Sequence, residues 1–318
     1  MNNLDRMHIF IIYLYCKGVL RHGPLFAYAK VLGGYFMRKV WITGAEGHIG
    51  TALNNLLDSK EYHILATDIK EVDITDLAQV MQYVKMNRPD VVINCASLTD
   101  VEYCESHVDE AYHVNAIGVR NVALAAQEVQ AKVIQMSTDD VFDLEAEQPY
   151  NEFDPIHPKT IYGKSKAAGE KFVSELMNRF VIIRSSWIYG IGRDFVDTVL
   201  KNVGKEKVMT VPNNRYAVPT SAKELAKVIQ YFIDHDEYGL YHVVCQGSCN
   251  RYEFAKAILE YSGNSKKMEI EPVISPNSKR PAYSVLDNMM LRLTHIDEPM
   301  PWRQALKEYL EETGGKVE

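Results

Sequence analysis

The stretch TGAEGHIG, residues 43–50, carries three glycines at the spacing G-x-x-G-x-x-G, where a short apolar run ends and a helical pattern begins. Glycines at this place permit a tight turn, a close approach of backbone to a pyrophosphate, and close packing of the helix on the strand. The start of the helix also offers free N–H groups to an anion. Spaced glycines alone are weak evidence, but between a strand and a helix they predict a dinucleotide site at Gly44, Gly47 and Gly50.

The apolar runs around this motif predict a parallel sheet. They are VWIT (40–43), HILATD (63–68), DVVINCA (90–96), KVIQMST (132–138) and FVIIRSS (180–186). Continuous apolar runs indicate strands that are covered on both faces, and the helical periodicity between them indicates repeated βαβ units. We therefore predict an α/β fold, a Rossmann-type doubly wound parallel sheet.

The organisation changes after residue 186, where the strand and helix rhythm loosens. We predict a dinucleotide-binding Rossmann domain over 37–186 and a smaller C-terminal mixed α/β substrate lobe over 187–318, with some of its segments returning to the Rossmann domain. No Gly/Ser linker separates the two, so we expect them to pack around a shared cleft. Residues 1–36 are predicted to be an appendage, and their apolar stretch (8–16) is shorter than the roughly 20 residues that span a bilayer.

Charge and cysteine usage exclude several classes of partner and site. The formal net charge is -7, and no basic run is interleaved with aromatic residues, so nucleic acid is not expected as a partner. The five cysteines form no CxxC pair, which favours a reducing compartment and a cytoplasmic location. Cys245 and Cys249 stand four apart, but no histidine or further cysteine pair with zinc-finger spacing accompanies them, so no metal site is predicted.

The end of the second predicted strand bears on the choice of dinucleotide. Asp68 stands 18 residues beyond Gly50, where a carboxylate can bind the adenosine ribose hydroxyls. This favours NADH. Lys70 is close enough to pair with the 2′-phosphate of NADPH, so both cofactors stay open.

The predicted helix that begins with IYGKSKAAGEK (161–171) distributes its lysines unevenly. At about 100° per residue, Lys164 and Lys171 share a solvent-facing side. Lys166 lies instead beside Tyr162, at the edge of the apolar stripe. Taken alone, such a pair is as easily an ordinary i,i+4 contact as a functional one.

Neighbouring residues favour the functional interpretation. A tyrosine phenol has a reference pKa of about 10, and an ammonium group one turn away stabilises its phenolate, so Tyr162 becomes a competent general acid or base. The strand KVIQMST ends in Thr138, whose hydroxyl can donate to a substrate carbonyl oxygen at the carboxyl edge of the sheet. Thr138, Tyr162 and Lys166 are therefore the predicted catalytic residues of a hydride-transfer site.

From about residue 37 onward the chain resembles the extended short-chain dehydrogenases/reductases, and among them the dTDP-4-dehydrorhamnose reductase family. The glycine loop and YGKSKAAGE (162–170) are general to that superfamily. The segments STDDVFD (137–143), RSSWIYG (184–190) and RPAYSVLD (280–287) are particular to the reductases.

The resemblance implies an enzyme that uses NADPH or NADH to reduce the C4 ketone of a nucleotide-linked 4-keto-6-deoxysugar, dTDP-4-dehydro-L-rhamnose becoming dTDP-L-rhamnose. Some resembling enzymes are dimers, so a homodimer is compatible with it. It assigns the pyrophosphate cradle to Gly47, His48 and Ile49, the adenine border to Asp73 and Ile74, and the nicotinamide side to Ala96, Ser97 and Leu98. Tyr162 and Lys166 also belong to the expected cofactor site, where Lys166 would hold the nicotinamide ribose. The nucleotide-sugar face is assigned to Thr138, Asp139, Trp187 and Arg280.

The chain departs from the family pattern at several positions, chiefly Leu98, Asp140, Leu144 and Tyr283, and in NNRYAVPT (213–220). The catalytic motifs are unchanged. A carboxylate at Asp140 would be unfavourable near a dianionic ligand unless it points away or is paired. The alternatives are a nucleotide-sugar epimerase or dehydratase of the same superfamily, and a non-catalytic regulatory subunit resembling the methionine adenosyltransferase β subunit.

Overall fold

The computed structural model describes residues 37–143, 146, 148–274 and 282–315. The predicted appendage (1–36) and Arg280 lie outside the described residues. Six strands form one sheet in which every neighbouring pair is parallel. They are β1 (Arg38–Thr43), β2 (Tyr62–Thr67), β3 (Val91–Asn94), β4 (Lys132–Thr138), β5 (Phe180–Ser185) and β10 (Gly239–His242).

The order of the strands creates a switch point beside β1. Across the sheet they run β10-β5-β4-β3-β1-β2, so the chain leaves β1 on one side to form β2 and returns on the other side to form β3. Open α/β sheets bind ligands outside the carboxyl ends of the strands at such a point. The loops that follow β1 and β3 meet there.

Helices cover both faces of this sheet, which explains why its strands are apolar on both sides. On one face Leu53, Ile229 and Leu291 are buried against Ile42 and Ile183. Another core packs on the opposite face and includes buried valines from three helices. The helices of this part of the chain are α1 (His48–Leu56), α2 (Leu77–Asn87), α3 (Val101–Ser106), α4 (Val108–Tyr112), α5 (Val119–Glu128) and α6 (Ile161–Leu176), with a π-helical turn (His113–Gly118) before α5 and a 3-10 turn (Asp139–Val141) after β4.

The later part of the chain forms a smaller mixed lobe with its own core. Phe254, Trp302 and Leu306 are buried at its centre. Its short strands are β6 (Ile188–Tyr189), β7 (Val208–Pro212), β8 (Tyr216–Ala217), β9 (Thr220–Ser221), β11 (Cys249–Asn250) and β12 (Glu269–Val273). The helices are α7 (Phe195–Asn202), α8 (Ala222–Asp234), α9 (Arg251–Tyr261), α10 (Met289–Leu293) and α11 (Trp302–Glu312).

The predicted α/β fold is confirmed, including the smaller mixed lobe. β10 shows that the chain does return to the large sheet after residue 187, since it pairs with β5 along its whole length. The domain boundaries themselves stay a prediction. Within the described part of the chain, every helix is too short or too polar to cross a bilayer.

Candidate active site

The glycine loop occupies the switch point of the sheet. Gly44 has φ +62°, a conformation that side chains rarely adopt, and a Cβ at this residue would lie 2.7 Å from the backbone nitrogen of Ala96. The loop after β1 is therefore in direct backbone contact with the loop after β3. Gly47 begins α1 without any side-chain cap, so no side chain of the loop occupies the N–H groups of the first turn.

His48 uses its side chain in a way that the sequence did not predict. Its Nδ1 lies 2.9 Å from the carbonyl oxygen of Ile191, and its Nε2 lies 3.3 Å from that of Arg193. The imidazole therefore contacts the smaller lobe. This contact ties the glycine loop to the segment before α7.

The predicted ribose carboxylate lies beside the glycine loop. Asp68 follows β2 directly and accepts a hydrogen bond from the backbone N–H of Glu46 over 3.1 Å. Lys70 is exposed two residues further on. Asp73 turns inward on its own segment, accepting from the N–H and hydroxyl of Thr75 at 2.9 and 2.8 Å. Both carboxylates therefore lie on the segment that follows β2, and their roles at the adenosine stay a prediction.

Ile74 lies on the same segment and is buried at 5% exposure. A Cβ at Gly118 would approach the Cδ1 of Ile74 to 2.7 Å. The carbonyl oxygen of Ile74 accepts from the Asn121 amide at 3.0 Å. These contacts fix the predicted adenine border against α5 and the π-helical turn before it.

A row of buried polar side chains crosses the carboxyl ends of three strands. Thr43 donates to the Asn94 side-chain oxygen over 2.6 Å, and the Asn94 amide donates to Gln135 over 2.8 Å. Gln135 in turn donates to the carbonyl oxygen of Met136 at 2.8 Å. These residues are register partners in the sheet, so their side chains share one face. The row ends at the carbonyl group that binds Lys166.

Lys166 is buried at 4% exposure, deeper than its predicted place at the edge of the helix stripe. Its ammonium donates to the carbonyl oxygen of Met136 at 2.8 Å and to the Ser97 hydroxyl at 3.3 Å. Burial lowers the pKa of Lys166 to about 8, and the negative charge of Glu170 opposes this effect. Tyr162 is half-buried one turn earlier on α6, while Lys164 and Lys171 are exposed as predicted.

Asn115 organises the predicted nicotinamide side and was missed in the sequence. It is 1% exposed and lies in the π-helical turn. Its oxygen accepts from the Ser97 hydroxyl at 2.8 Å and from the Leu98 N–H at 2.9 Å. Its amide donates to the Leu98 carbonyl at 2.9 Å and to the Ser165 hydroxyl at 3.0 Å. Asn115 therefore fixes the loop 96–98 against α6, and an isolated asparagine within an apolar helical pattern was the available signal.

Thr138 ends β4 and is buried at 6% exposure. Its hydroxyl donates to the Asp139 carboxylate at 3.2 Å and accepts from the backbone N–H of Asp140 at 3.2 Å. The start of α6 packs tightly on this turn, since a Cβ at Gly163 would lie 2.1 Å from the Asp140 carbonyl oxygen. The packing brings the helical turn that carries Tyr162 against the residues that follow Thr138.

The residues predicted to face the sugar come from two adjacent strand ends. Asp139 follows β4, and its carboxylate accepts from the Ser284 hydroxyl at 2.5 Å. Trp187 follows β5 with φ 41°, a strained conformation for a residue that is not glycine. The Arg251 guanidinium lies 3.7 Å from the centroid of the indole. Asp139 and Trp187 follow the ends of neighbouring strands, because Thr138 and Ser185 are register partners.

Glu170 and Arg184 form a buried ion pair beside Lys166 that was also missed in the sequence. The guanidinium donates from Nε and Nη2 to the two carboxylate oxygens at 2.9 and 2.7 Å. Glu170 lies four residues after Lys166 on the buried side of α6, and this spacing was the signal that could have indicated it. Within the described ranges, no cluster of three or more histidine, cysteine, aspartate or glutamate side chains is arranged to hold a metal ion.

Known proteins are similar to this chain over nearly all of its described length. The family profile described as the RmlD substrate binding domain matches residues 37–314. The spore coat polysaccharide biosynthesis protein SpsK of Bacillus subtilis is 39% identical over 279 residues, which cover 87% of this chain and 98% of that protein. The dTDP-4-dehydrorhamnose reductase of Aggregatibacter actinomycetemcomitans is 34% identical over 287 residues, which cover 85% and 98%.

A solved structure agrees with both comparisons. The crystal structure of dTDP-4-dehydrorhamnose reductase from Bacillus anthracis, in complex with NADP, aligns with a TM-score of 0.85 at 39% identity. The alignment covers 87% of this chain and 100% of that one. On the matched profile, the extent of the identities and this structural agreement, the chain belongs to the RmlD substrate binding domain family, that of the dTDP-4-dehydrorhamnose reductases.

Proposed function

We propose that this protein uses NADPH or NADH to reduce the C4 ketone of a nucleotide-linked 4-keto-6-deoxysugar, with dTDP-4-dehydro-L-rhamnose as substrate and dTDP-L-rhamnose as product. The observation that carries the proposal is the buried ammonium of Lys166. It is held by the Met136 carbonyl and the Ser97 hydroxyl at the switch point of a dinucleotide fold. A structural lysine would cost less free energy on the exposed side of α6, so a function for the buried charge is expected.

The residues present fit a dinucleotide. Because Gly44 has no side chain, space remains between two backbone loops that a Cβ would fill. At Gly47, α1 begins without a side-chain cap. An anion placed there would receive N–H hydrogen bonds and the favourable end of the helix dipole. Asp68 would bind the adenosine ribose. The B. anthracis relative, whose crystal structure is in complex with NADP, supports the binding of a dinucleotide.

Each catalytic residue has a distinct role in the proposed reaction. When bound, a reduced nicotinamide would supply the hydride to the C4 carbon of the sugar. Tyr162 gives its phenolic proton to the ketone oxygen, which becomes the hydroxyl of the product, and is left as phenolate. Lys166 stabilises this phenolate electrostatically, and the Thr138 hydroxyl donates to the ketone oxygen so that negative charge on it is stabilised. Proton uptake from solvent then restores Tyr162.

The nucleotide sugar would lie across the ends of β4 and β5. The Asp139 carboxylate suits the sugar hydroxyls, and the Trp187 indole suits the apolar face and methyl group of a deoxysugar. Arg280, which lies outside the described residues, would pair with the diphosphate. The assignment of these three residues to the substrate is part of the proposal.

The proposal extends to the setting of the enzyme. The cysteines of the described chain, Cys95, Cys104, Cys245 and Cys249, are all free thiols, as is usual in a reducing compartment. We therefore propose that the protein acts in the cytoplasm. A homodimer is proposed because some members of the family are dimers, and sedimentation of the purified protein tests it.

The deciding experiment is an NADPH and NADH oxidation assay against a panel of dTDP-, GDP- and UDP-linked 4-keto-6-deoxysugars. One cofactor should be consumed for each sugar reduced, with the dTDP sugar preferred. Sugar turnover without net cofactor consumption would instead identify an epimerase or a dehydratase, since these recycle the cofactor. Cofactor binding with no turnover of any sugar would favour a regulatory subunit.

A further inference from the structure

A bidentate ion pair lies inside the molecule between α6 and β5. Glu170 and Arg184 are 6% and 3% exposed, and both carboxylate oxygens of Glu170 accept from the guanidinium. The Ser137 hydroxyl adds a hydrogen bond of 2.5 Å to the same carboxylate. Both carboxylate oxygens of Glu170 therefore accept hydrogen bonds from side chains of β4 and β5.

Packing alone does not explain this pair. Desolvation of two charges offsets most of their attraction, so apolar side chains of similar size commonly stabilise a protein as well as a buried ion pair does. The Arg184 Nη1 is moreover left without a hydrogen-bond partner although it is buried, which adds a further cost. The Glu170–Arg184 pair therefore needs an explanation in which the charges themselves have a function.

Consecutive residues of β4 bind α6 one helical turn apart. The Met136 carbonyl binds Lys166, and the Ser137 hydroxyl binds Glu170. The next residue of the strand is Thr138. Any shift of α6 along β4 would therefore move the Lys166 ammonium relative to the Thr138 hydroxyl, and the anchored Glu170 opposes such a shift.

The charged groups around Lys166 also indicate a role for Glu170. Burial disfavours the charged form of Lys166, and the groups that favour it are Glu170 on its own helix and, to a lesser extent, Cys95 on the loop after β3. Glu170 lies one turn from Lys166, where Cβ atoms are about 5–6 Å apart. Arg184 on β5 pairs with both oxygens of this carboxylate.

We infer that Glu170 is a positioning residue for Lys166: anchored by Arg184 and Ser137, its carboxylate fixes the turn of α6 that presents the ammonium and supplies the negative charge that keeps Lys166 protonated. The inference rests on the proposed function, because it gives Lys166 its catalytic role. It assigns Arg184 and Ser137 as the residues that hold the carboxylate.

The test is the titration of Lys166 itself, followed by NMR of lysine labelled with ¹³C at Cε, in the protein without ligands. Comparison with Lys166→Arg identifies the resonance. The variant is Glu170→Gln combined with Arg184→Met, which removes both charges together and avoids leaving an unpaired buried arginine. The matched control is Glu175→Gln, which removes a carboxylate from the exposed side of the same helix. A third protein, Arg184→Lys, keeps both charges and loses the bidentate geometry.

The double variant should titrate Lys166 about half a unit to one unit lower than the wild type, with no change for Glu175→Gln. Its kcat should already lie below the wild-type value at pH 6.5, because the anchor of the helix turn is lost. Relative to the wild type, its kcat should fall a further two- to sixfold, roughly, by pH 8.5, since the lower midpoint leaves a smaller fraction of Lys166 protonated. Arg184→Lys should keep the midpoint and lower kcat at all pH values.

An unchanged midpoint in a folded double variant overturns the inference, whatever the activity. Should the double variant not fold, Glu170→Gln with Arg184 retained is titrated instead, and the same shift is required. A wild-type protein that reduces no 4-keto sugar contradicts only the proposed function, because the Lys166 midpoint still reports on Glu170.

Discussion

The Lys166 ammonium donates to the carbonyl oxygen of Met136 across 2.8 Å. A backbone oxygen inside a parallel sheet cannot move independently, so the position of the charge is set by the fold and not by a flexible partner. The same oxygen accepts from Gln135, at the end of the polar row that starts at Thr43. The reactive end of α6 is thereby joined to the strand that carries the glycine loop.

Tyr162→Phe should abolish the proton transfer and leave the fold unchanged, because it removes a single oxygen. We expect kcat to fall by a factor of about 10² or more, while NADPH affinity measured by calorimetry stays within about threefold. Tyr103→Phe, on an exposed residue, is the control. Near-normal turnover by the Tyr162 variant would show that another group supplies the proton.

The alkaline limb of the pH profile should reflect Lys166. Because burial lowers the pKa of Lys166 to about 8, the ammonium loses its proton as the pH rises through this value, and stabilisation of the phenolate is lost. We expect kcat/KM to decline above about pH 8. A flat profile up to pH 9.5, measured with wild-type protein in buffers of constant ionic strength, would contradict this.

Gly44→Ala should weaken dinucleotide binding more than a backbone penalty alone can explain. The new methyl group would lie 2.7 Å from the Ala96 nitrogen, in addition to the cost of φ +62°. Gly204→Ala is the matched control, since Gly204 has φ +81° and open space around it. Cofactor affinity should fall at least about tenfold for Gly44→Ala and remain unchanged for Gly204→Ala, with both melting temperatures lowered by the φ penalty.

Acid should destabilise the protein through His242. Burial, with a smaller contribution from the positive charge of Arg184, lowers the pKa of His242 to about 3. The unfolded chain binds this proton near pH 6.5 and the folded chain does not, so stability is complete above pH 6.5 and is lost as the pH falls towards 3. Between pH 6.5 and 5.0 this costs about 2 kcal/mol.

The comparison that isolates this effect is urea unfolding of the wild type and of His242→Gln at both pH values. The variant is expected to lose about 2 kcal/mol less between them. Equal losses in the two proteins would assign the acid sensitivity to carboxylates elsewhere.

The structural features that were predicted best are those that depend on a local sequence pattern. The run KVIQMST matches β4 residue for residue, and the spacing of the glycines after β1 led directly to the switch point. These features follow from strand burial and from backbone conformation, which act over a few neighbouring residues.

What could not be predicted depends on contacts between distant segments. Asn115 and Ser97 are 18 positions apart, and Arg184 and Glu170 are 14 apart; only the folded sheet brings each pair together. His48 is a sharper case, because its backbone belongs to a local motif and its side chain binds carbonyl groups 143 and 145 residues away. The periodicity of the sequence gives no information about hydrogen-bond partners so far along the chain.

The arrangement of β10 beside β5 has a consequence for biosynthesis. The ribosome completes β5 at Ser185. The strand that pairs with it, β10, begins at Gly239 and is synthesised about fifty residues later. Throughout that interval the nascent polypeptide presents an unpaired strand edge, the kind of surface on which other chains aggregate. A stop codon placed before Gly239 should therefore yield insoluble material instead of an independently folded nucleotide-binding half.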